Sequence, residues 1–146
     1  GRCLFCCGIG QAGESAALHA HICAASGRYK SAVEAAARSC EILEKLYPTE
    51  SPCCAHERAF LAKLCACEAQ WQDALENANR AARTLTACYG VDDCVSKELR
   101  RLAGACKEAG KGRTAAASKV VKELKQTFAA FIKPNNDKGL ENSEKR

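Results

Sequence analysis

Cysteine supplies the spacings in this chain that could do chemistry. Cys3, Cys6 and Cys7 read C-x2-C-C. A C-x-x-C knuckle offers two thiolates to zinc, and tetrahedral zinc takes four ligands. Three cysteines are local, and His19 and His21 lie farther along in a helical pattern. The remaining ligand would have to come from upstream of Gly1 in a longer parent. The competing expectation is a chain end with free thiols. Cys53, Cys54 and His56 form C-C-x-H at an expected helix start, where the helix dipole favours a thiolate. Nothing in the sequence places an Asn or Asp beside them, so packing is their expected role. Paired acidic motifs, G-x-S-x-G, G-x-G-x-x-G and phosphate-binding loops do not occur. No residue receives a catalytic role.

The elements holding these residues are helical. The chain has 146 residues, 47% of them apolar, yet only 5% are aromatic and much of the remainder is Ala or Cys. That composition suits closely spaced helices rather than a sheet sandwich. Cys23, Cys40, Cys65, Cys67, Cys88 and Cys106 fall inside helical patterns, where free cysteine acts as a small buried hydrophobe. Six of the twelve cysteines so placed favour a reducing compartment, cytoplasm or nucleus, over a secreted disulfide scaffold. A net charge of +5, spread along the chain, is too dilute to indicate nucleic acid. No apolar run approaches the ~18 residues of a membrane span, and no secretory leader is visible. Methionine is absent, even from position 1, so a piece of a longer chain is expected.

Three stretches fall into register 42 residues apart: GRYKSAVEAA from Gly27, AQWQDALENA from Ala69 and KGRTAAASKV from Lys111. Ala32, Ala74 and Ala116 coincide, as do Tyr47, Tyr89 and Phe131. Val33, Ala36, Cys40, Leu43 and Tyr47 form one helical stripe. Leu75, Ala78, Ala82, Leu85 and Tyr89 repeat it, as do Ala117, Val120, Leu124, Thr127 and Phe131. The intervening segments align Leu18 with Phe60 and Leu102, and Ile22 with Leu64 and Cys106. They also align Ala20 with Ala62 and Gly104, a column read as admitting only small side chains. Gly27, Gly110 and Gly112 suit turns needing positive φ. Ser51 suits an N-cap and Pro52 the first helical position.

The pattern predicts an all-α fold of three stacked antiparallel helix hairpins, a tetratricopeptide-like right-handed solenoid. Helices are expected near 13–26, 29–47, 52–68, 71–89, 93–109 and 113–132. A Cys-rich segment, 1–12, should precede this domain of residues 13–132, and a polar disordered tail, 133–146, should follow. Trp71 is expected to wedge a hairpin turn. The last helix carries Val120, Val121, Leu124, Phe128, Phe131 and Ile132 beside Lys119, Lys122, Lys125 and Lys133. That stripe is wide for a terminal helix. Docking within the fold is expected, with a parent domain, a second copy or a membrane surface as alternatives.

The first helix of each hairpin lines the groove of such a stack. Register places Glu14, His21, His56, Lys63, Glu98, Arg101 and Glu108 there, a face of mixed charge that could hold a protein or peptide. The Lys and Asn clamp for acidic tails is not reproduced, because His21, Lys63 and Ala105 stand at its positions.

GRYKSAVEAAARSCEILEKLYPTESP, ERAFLAKLCACEAQWQDALENANRAARTL and YGVDDCVSKELRRLAGACKEAG together resemble the C-terminal helical domain of SET and MYND domain protein-lysine methyltransferases. The resemblance spans roughly residues 3 to 110. It implies a non-catalytic protein-binding region that walls the substrate cleft of a parent enzyme. It also implies that RCLFCCG stands near a post-SET zinc site. The methyl-donor and lysine-channel residues of that family lie in a SET domain, which this sequence lacks, and no cofactor is expected here beyond zinc in the parent. A stand-alone tetratricopeptide adaptor similar to kinesin light chains is the alternative. A metal- or redox-responsive Cys-rich helical protein is a third.

Overall fold

The computed structural model describes residues 4–131, with side chains from Gly13 onward. Every element among the described residues is helical: α1 Leu4–Ala25, α2 Tyr29–Leu46, α3 Pro52–Cys67, α4 Trp71–Tyr89, α5 Cys94–Gly110 and α6 Ala115–Ala130. The all-α order of three consecutive hairpins is the one expected. α1 starts earlier than expected, so residues 4–12 belong to the helix and do not form a separate segment. Nothing between Leu4 and Ala12 is a proline, and once a helix is nucleated each added residue gains a backbone bond. Ile132 and the 133–146 tail lie outside the described residues.

The three hairpin turns share one hydrogen-bond pattern. The N–H of Arg28 donates to Cys23 O at 2.8 Å, that of Gln70 to Cys65 O at 2.9 Å and that of Arg113 to Glu108 O at 3.0 Å. A bond spanning fewer residues lies inside each, from the N–H of Gly27 to Ala24 O, of Ala69 to Ala66 O and of Gly112 to Ala109 O. This is the Schellman arrangement, which needs one left-handed residue. Gly27 (φ +79°) and Gly112 (φ +89°) supply it, and Ala69 adopts φ +55° with no glycine to help. Gly110 is not used this way; it is the last residue of α5.

The core is a continuous cluster of small residues and leucines. Ala20, Ala32, Ala62, Ala74, Ala78, Leu64, Leu85 and Leu99 have no solvent exposure. Gly13 marks a close approach of α1 and α2: a Cβ there would sit 3.1 Å from Ile42 Cγ2. Ser39 Oγ donates to Gly13 O at 3.4 Å across the same contact. Trp71 is half-buried against this core, as expected. Asp93 caps α5, its Oδ2 accepting from the Ser96 N–H at 3.0 Å. Ser51 sits at the N-cap of α3, but its hydroxyl contacts Cys53 Sγ at 3.3 Å and makes no cap bond.

Several expected equivalences fail. Gly104 is exposed, and a Cβ there would meet nothing within 4 Å, so its column is not uniformly restricted to small side chains. Ala116 is exposed and its neighbour Ala117 is buried in its place. Tyr47, Tyr89 and Phe131 end the stripe in solvent, 43–61% exposed. All three lie at or just beyond the last turn of their helices, past the neighbours that would cover them. Leu18 and Ile22 are exposed on α1, whereas Phe60, Leu102, Leu64 and Cys106 are buried in the same columns.

The first two hairpins are tightly paired, and α4 packs closely on α5. The third hairpin is open. α6 leaves α5, crosses α3 and reaches α1, touching all three.

Candidate protein-binding groove

α1, α3 and α5 present most of the expected groove residues on one face, and α6 lies over them. The His21 ring stacks on Phe60 at 4.1 Å between centroids and meets Phe131 at 5.4 Å. Phe60 takes the edge of Phe128 at 5.8 Å. Farther along, Lys63 Nζ pairs with Glu98 at 3.2 Å. Arg101 donates both terminal nitrogens to Glu123 of α6, at 3.1 and 3.3 Å. Lys125 sits 5.1 Å above the Tyr29 ring. Val120, Leu124 and Phe128 are buried by this crossing.

α6 does not fill the face. A cavity of about 310 Å3 remains among His21, His56, Phe60, Lys63, Phe128 and Phe131. A second, of about 110 Å3, lies between Lys63, Glu98 and Arg101 on one side and Glu123 and Thr127 on the other.

The expected groove set therefore divides. His21, His56, Lys63, Glu98 and Arg101 line these two cavities. Glu108 lies elsewhere, because its carboxylate accepts from Arg113 Nε at 2.7 Å within the α5–α6 turn. Glu14 is exposed on α1 and lines neither cavity. Sequence reading missed Phe60, Phe128 and Glu123 as groove residues. One signal was available. Ser39, Ala81 and Glu123 occupy equivalent positions, and the first two have no exposure at all. A glutamate cannot enter such a site without a large desolvation cost, so α6 could not keep the 42-residue register, and Leu124 is buried instead.

The thiols are built for packing. Burial pushes Cys40 up to about 12, helped by the nearby Glu57 charge. Burial likewise raises Cys65, Cys67 and Cys106 to about 11. Cys54 is also raised by burial, against the lowering expected at a helix N-terminus, although the Ser51 hydroxyl pulls it partly back. Cys88 is exposed, contrary to the expected buried role. It faces outward on α4, near the end of the helix. Among the described residues no group of three His, Cys, Asp or Glu could hold a metal. Cys3 and the side chains of Cys6 and Cys7 lie outside the described residues.

A separate notch of about 220 Å3 is lined by Arg58, Arg80, Arg83, Thr49, Glu50 and Thr84, among others. Burial, then the charge of Arg80, pulls the Arg58 guanidinium below its ordinary value. Two carboxylates are engaged here, one of them by a cation. Glu44 pairs with Arg58, and Glu50 accepts from Thr84 Oγ1 at 3.2 Å. The notch ties the α2–α3 loop and α3 to α4.

No helix among the described residues is long and apolar enough to cross a membrane. Comparison with known proteins finds no matching family model, no matching curated protein and no matching solved structure.

Proposed function

We propose that this chain is a non-catalytic protein-interaction module, serving as the C-terminal helical region of a SET and MYND-type protein-lysine methyltransferase in the cytoplasm or nucleus. The observation that carries the interaction reading is the face formed by α1, α3 and α5. It gathers aromatic, basic and acidic side chains from three helices and takes a helix across itself. The Cys23 thiol lies 3.6 Å from His19 Nε2 but is fully buried, and burial raises the thiols of Cys40, Cys65 and Cys106. The exposed Leu18 and Ile22 add support. Their equivalents in later repeats are covered, so α1 offers an apolar strip to a neighbouring module.

The methyltransferase assignment rests on the sequence resemblance, and the parent transcript tests it. A SET domain encoded upstream, with methyl transfer from S-adenosylmethionine to protein lysine, supports it. Further 42-residue hairpins in that position would favour the adaptor reading, which the recurring Schellman turns at Gly27, Ala69 and Gly112 also fit. The interaction itself is tested by changing Lys63 and Arg101 together to Glu. Unchanged affinity for a purified partner would count against the groove.

A further inference from the structure

We infer that the arginine-lined notch between the α2–α3 loop, α3 and α4 binds one phosphate dianion, free or carried as a monoester on a peptide side chain. The notch shares no lining residue with the two groove cavities, so it stands independently of the groove.

Three guanidinia meet there. Arg58 comes from α3, and Arg80 and Arg83 come from one face of α4, three residues apart. Arg58 gives one N–H to Glu44 and one to Asn77 Oδ1, the latter at 3.1 Å, and a guanidinium has five. Arg80 and Arg83 form no ion pair among the described residues. Glu50 is the one acid among the described lining residues, and the Thr84 hydroxyl engages it at 3.2 Å. The lining thus sets three positive charges against one negative. Glu44 and Glu76 lie outside it. Glu44 is committed to Arg58, and Glu76, one turn before Arg80, pairs with none of the three arginines.

The cations are also crowded. Burial, then the Arg80 charge, disfavours the charged form of Arg58, so these two guanidinia repel. An anion between them offsets that repulsion. Phosphate suits the site better than carboxylate. It brings three strong acceptor oxygens and close to two negative charges at neutral pH, and guanidinium forks bind it bidentately. A notch of about 220 Å3 takes one such group and not a run of them.

Cys88 lies in the lining and is exposed, which supplies a readout. The full chain is alkylated with iodoacetamide and mapped at fixed pH and ionic strength. Inorganic phosphate, a phosphoserine peptide, its unphosphorylated form or acetate is present. At twice its dissociation constant, inorganic phosphate or the phosphopeptide should slow Cys88 about threefold, with Cys53 and Cys94 unchanged. Arg80→Gln with Arg83→Gln should remove that protection and weaken calorimetric binding by at least about tenfold. Lys119→Gln with Lys122→Gln makes the same change in net charge and should leave both as they were. Circular dichroism checks that each variant folds, and glutamine keeps the helix propensity of α4. Tighter binding of the phosphopeptide assigns the site to a modified side chain; tighter binding of inorganic phosphate assigns it to the free anion. Absence of Cys88 protection by both probes overturns the proposal. So does protection that the arginine variant retains, that the lysine variant loses equally, or that acetate matches. These failures leave the groove reading of Lys63 and Arg101 untouched.

Discussion

Replacing Ala69 with Gly should stabilise this protein, although it removes a methyl group and adds no contact. Ala69 holds φ +55° at the centre of the α3–α4 turn. Left-handed backbone costs an L-residue with a Cβ roughly 1–2 kcal/mol. The turn cannot relax, because bonds from Ala69 to Ala66 O at 3.0 Å and from Gln70 to Cys65 O at 2.9 Å fix it. Glycine removes that cost, and its freedom in the unfolded chain returns about 0.4–1 kcal/mol. The side chain is exposed, so little burial is lost. The net gain is about 0.5–1 kcal/mol, or roughly 1–4 °C for a chain of this size. Circular dichroism melts and urea titrations with an unchanged m value would read it. The control is Gly27→Ala at the equivalent turn, which should cost about 1 kcal/mol. A destabilised Ala69→Gly protein beside an unaffected Gly27→Ala protein would refute the shared geometry of the two turns.

Gly104→Ala should also stabilise, by about 0.5–1 kcal/mol from helix propensity, because its Cβ would meet open space; a lower melting temperature would show that another element approaches α5 there. Glu57 is half-buried with Oε2 unpartnered, and burial raises its carboxyl above the ordinary value. A raised carboxyl penalises the fold above its folded pKa, and the penalty fades as pH falls through that value towards 4.5. Glu57→Gln should therefore gain about 1 kcal/mol at pH 8 and lose that advantage near pH 4.5; equal urea midpoint shifts at both pH values would show that the charge is irrelevant. Alkylation at pH 8 with peptide mapping should label Cys53, Cys88 and Cys94 in the native protein. Cys40, Cys65 and Cys106 should react only after unfolding; early labelling of Cys40 would contradict its burial.

The helices were legible because local signals and packing agree over α1 to α5. Ala and Leu at helical spacing, with a left-handed residue after each first helix, state both the element and its direction. The groove was legible only on its receiving side. His21, Lys63 and Arg101 could be placed by helical register, although other columns of α1, α3 and α5 do not repeat their burial. Their partners could not be placed, since Phe128 and Glu123 reach the face by a long-range crossing that no local period encodes. Burial at Cys54 was hidden for a related reason. A helix N-terminus predicts a lowered thiol, but the dipole acts over one turn while desolvation by neighbouring helices dominates.

The departure of α6 has a countable origin. The carbonyls closing the three Schellman turns belong to Cys23, Cys65 and Glu108, spaced 42 and then 43 residues apart. The helices that follow begin at Tyr29, Trp71 and Ala115, spaced 42 and then 44. The buried set of α6 follows the turn: Ala117, Leu124 and Phe128 stand 43 residues after Ala74, Ala81 and Leu85. Each added residue advances a helical position by about 100°, so α6 turns a different set of residues inward. Its register equivalent of Ala32 and Ala74 is exposed, and Ala117 enters the core instead. Leu124 takes the place of Ala81 in the core, which leaves Glu123 beside it to accept from Arg101. The shift sets Leu124 inward and Glu123 against Arg101, on a helix that lies across the face its own repeats built.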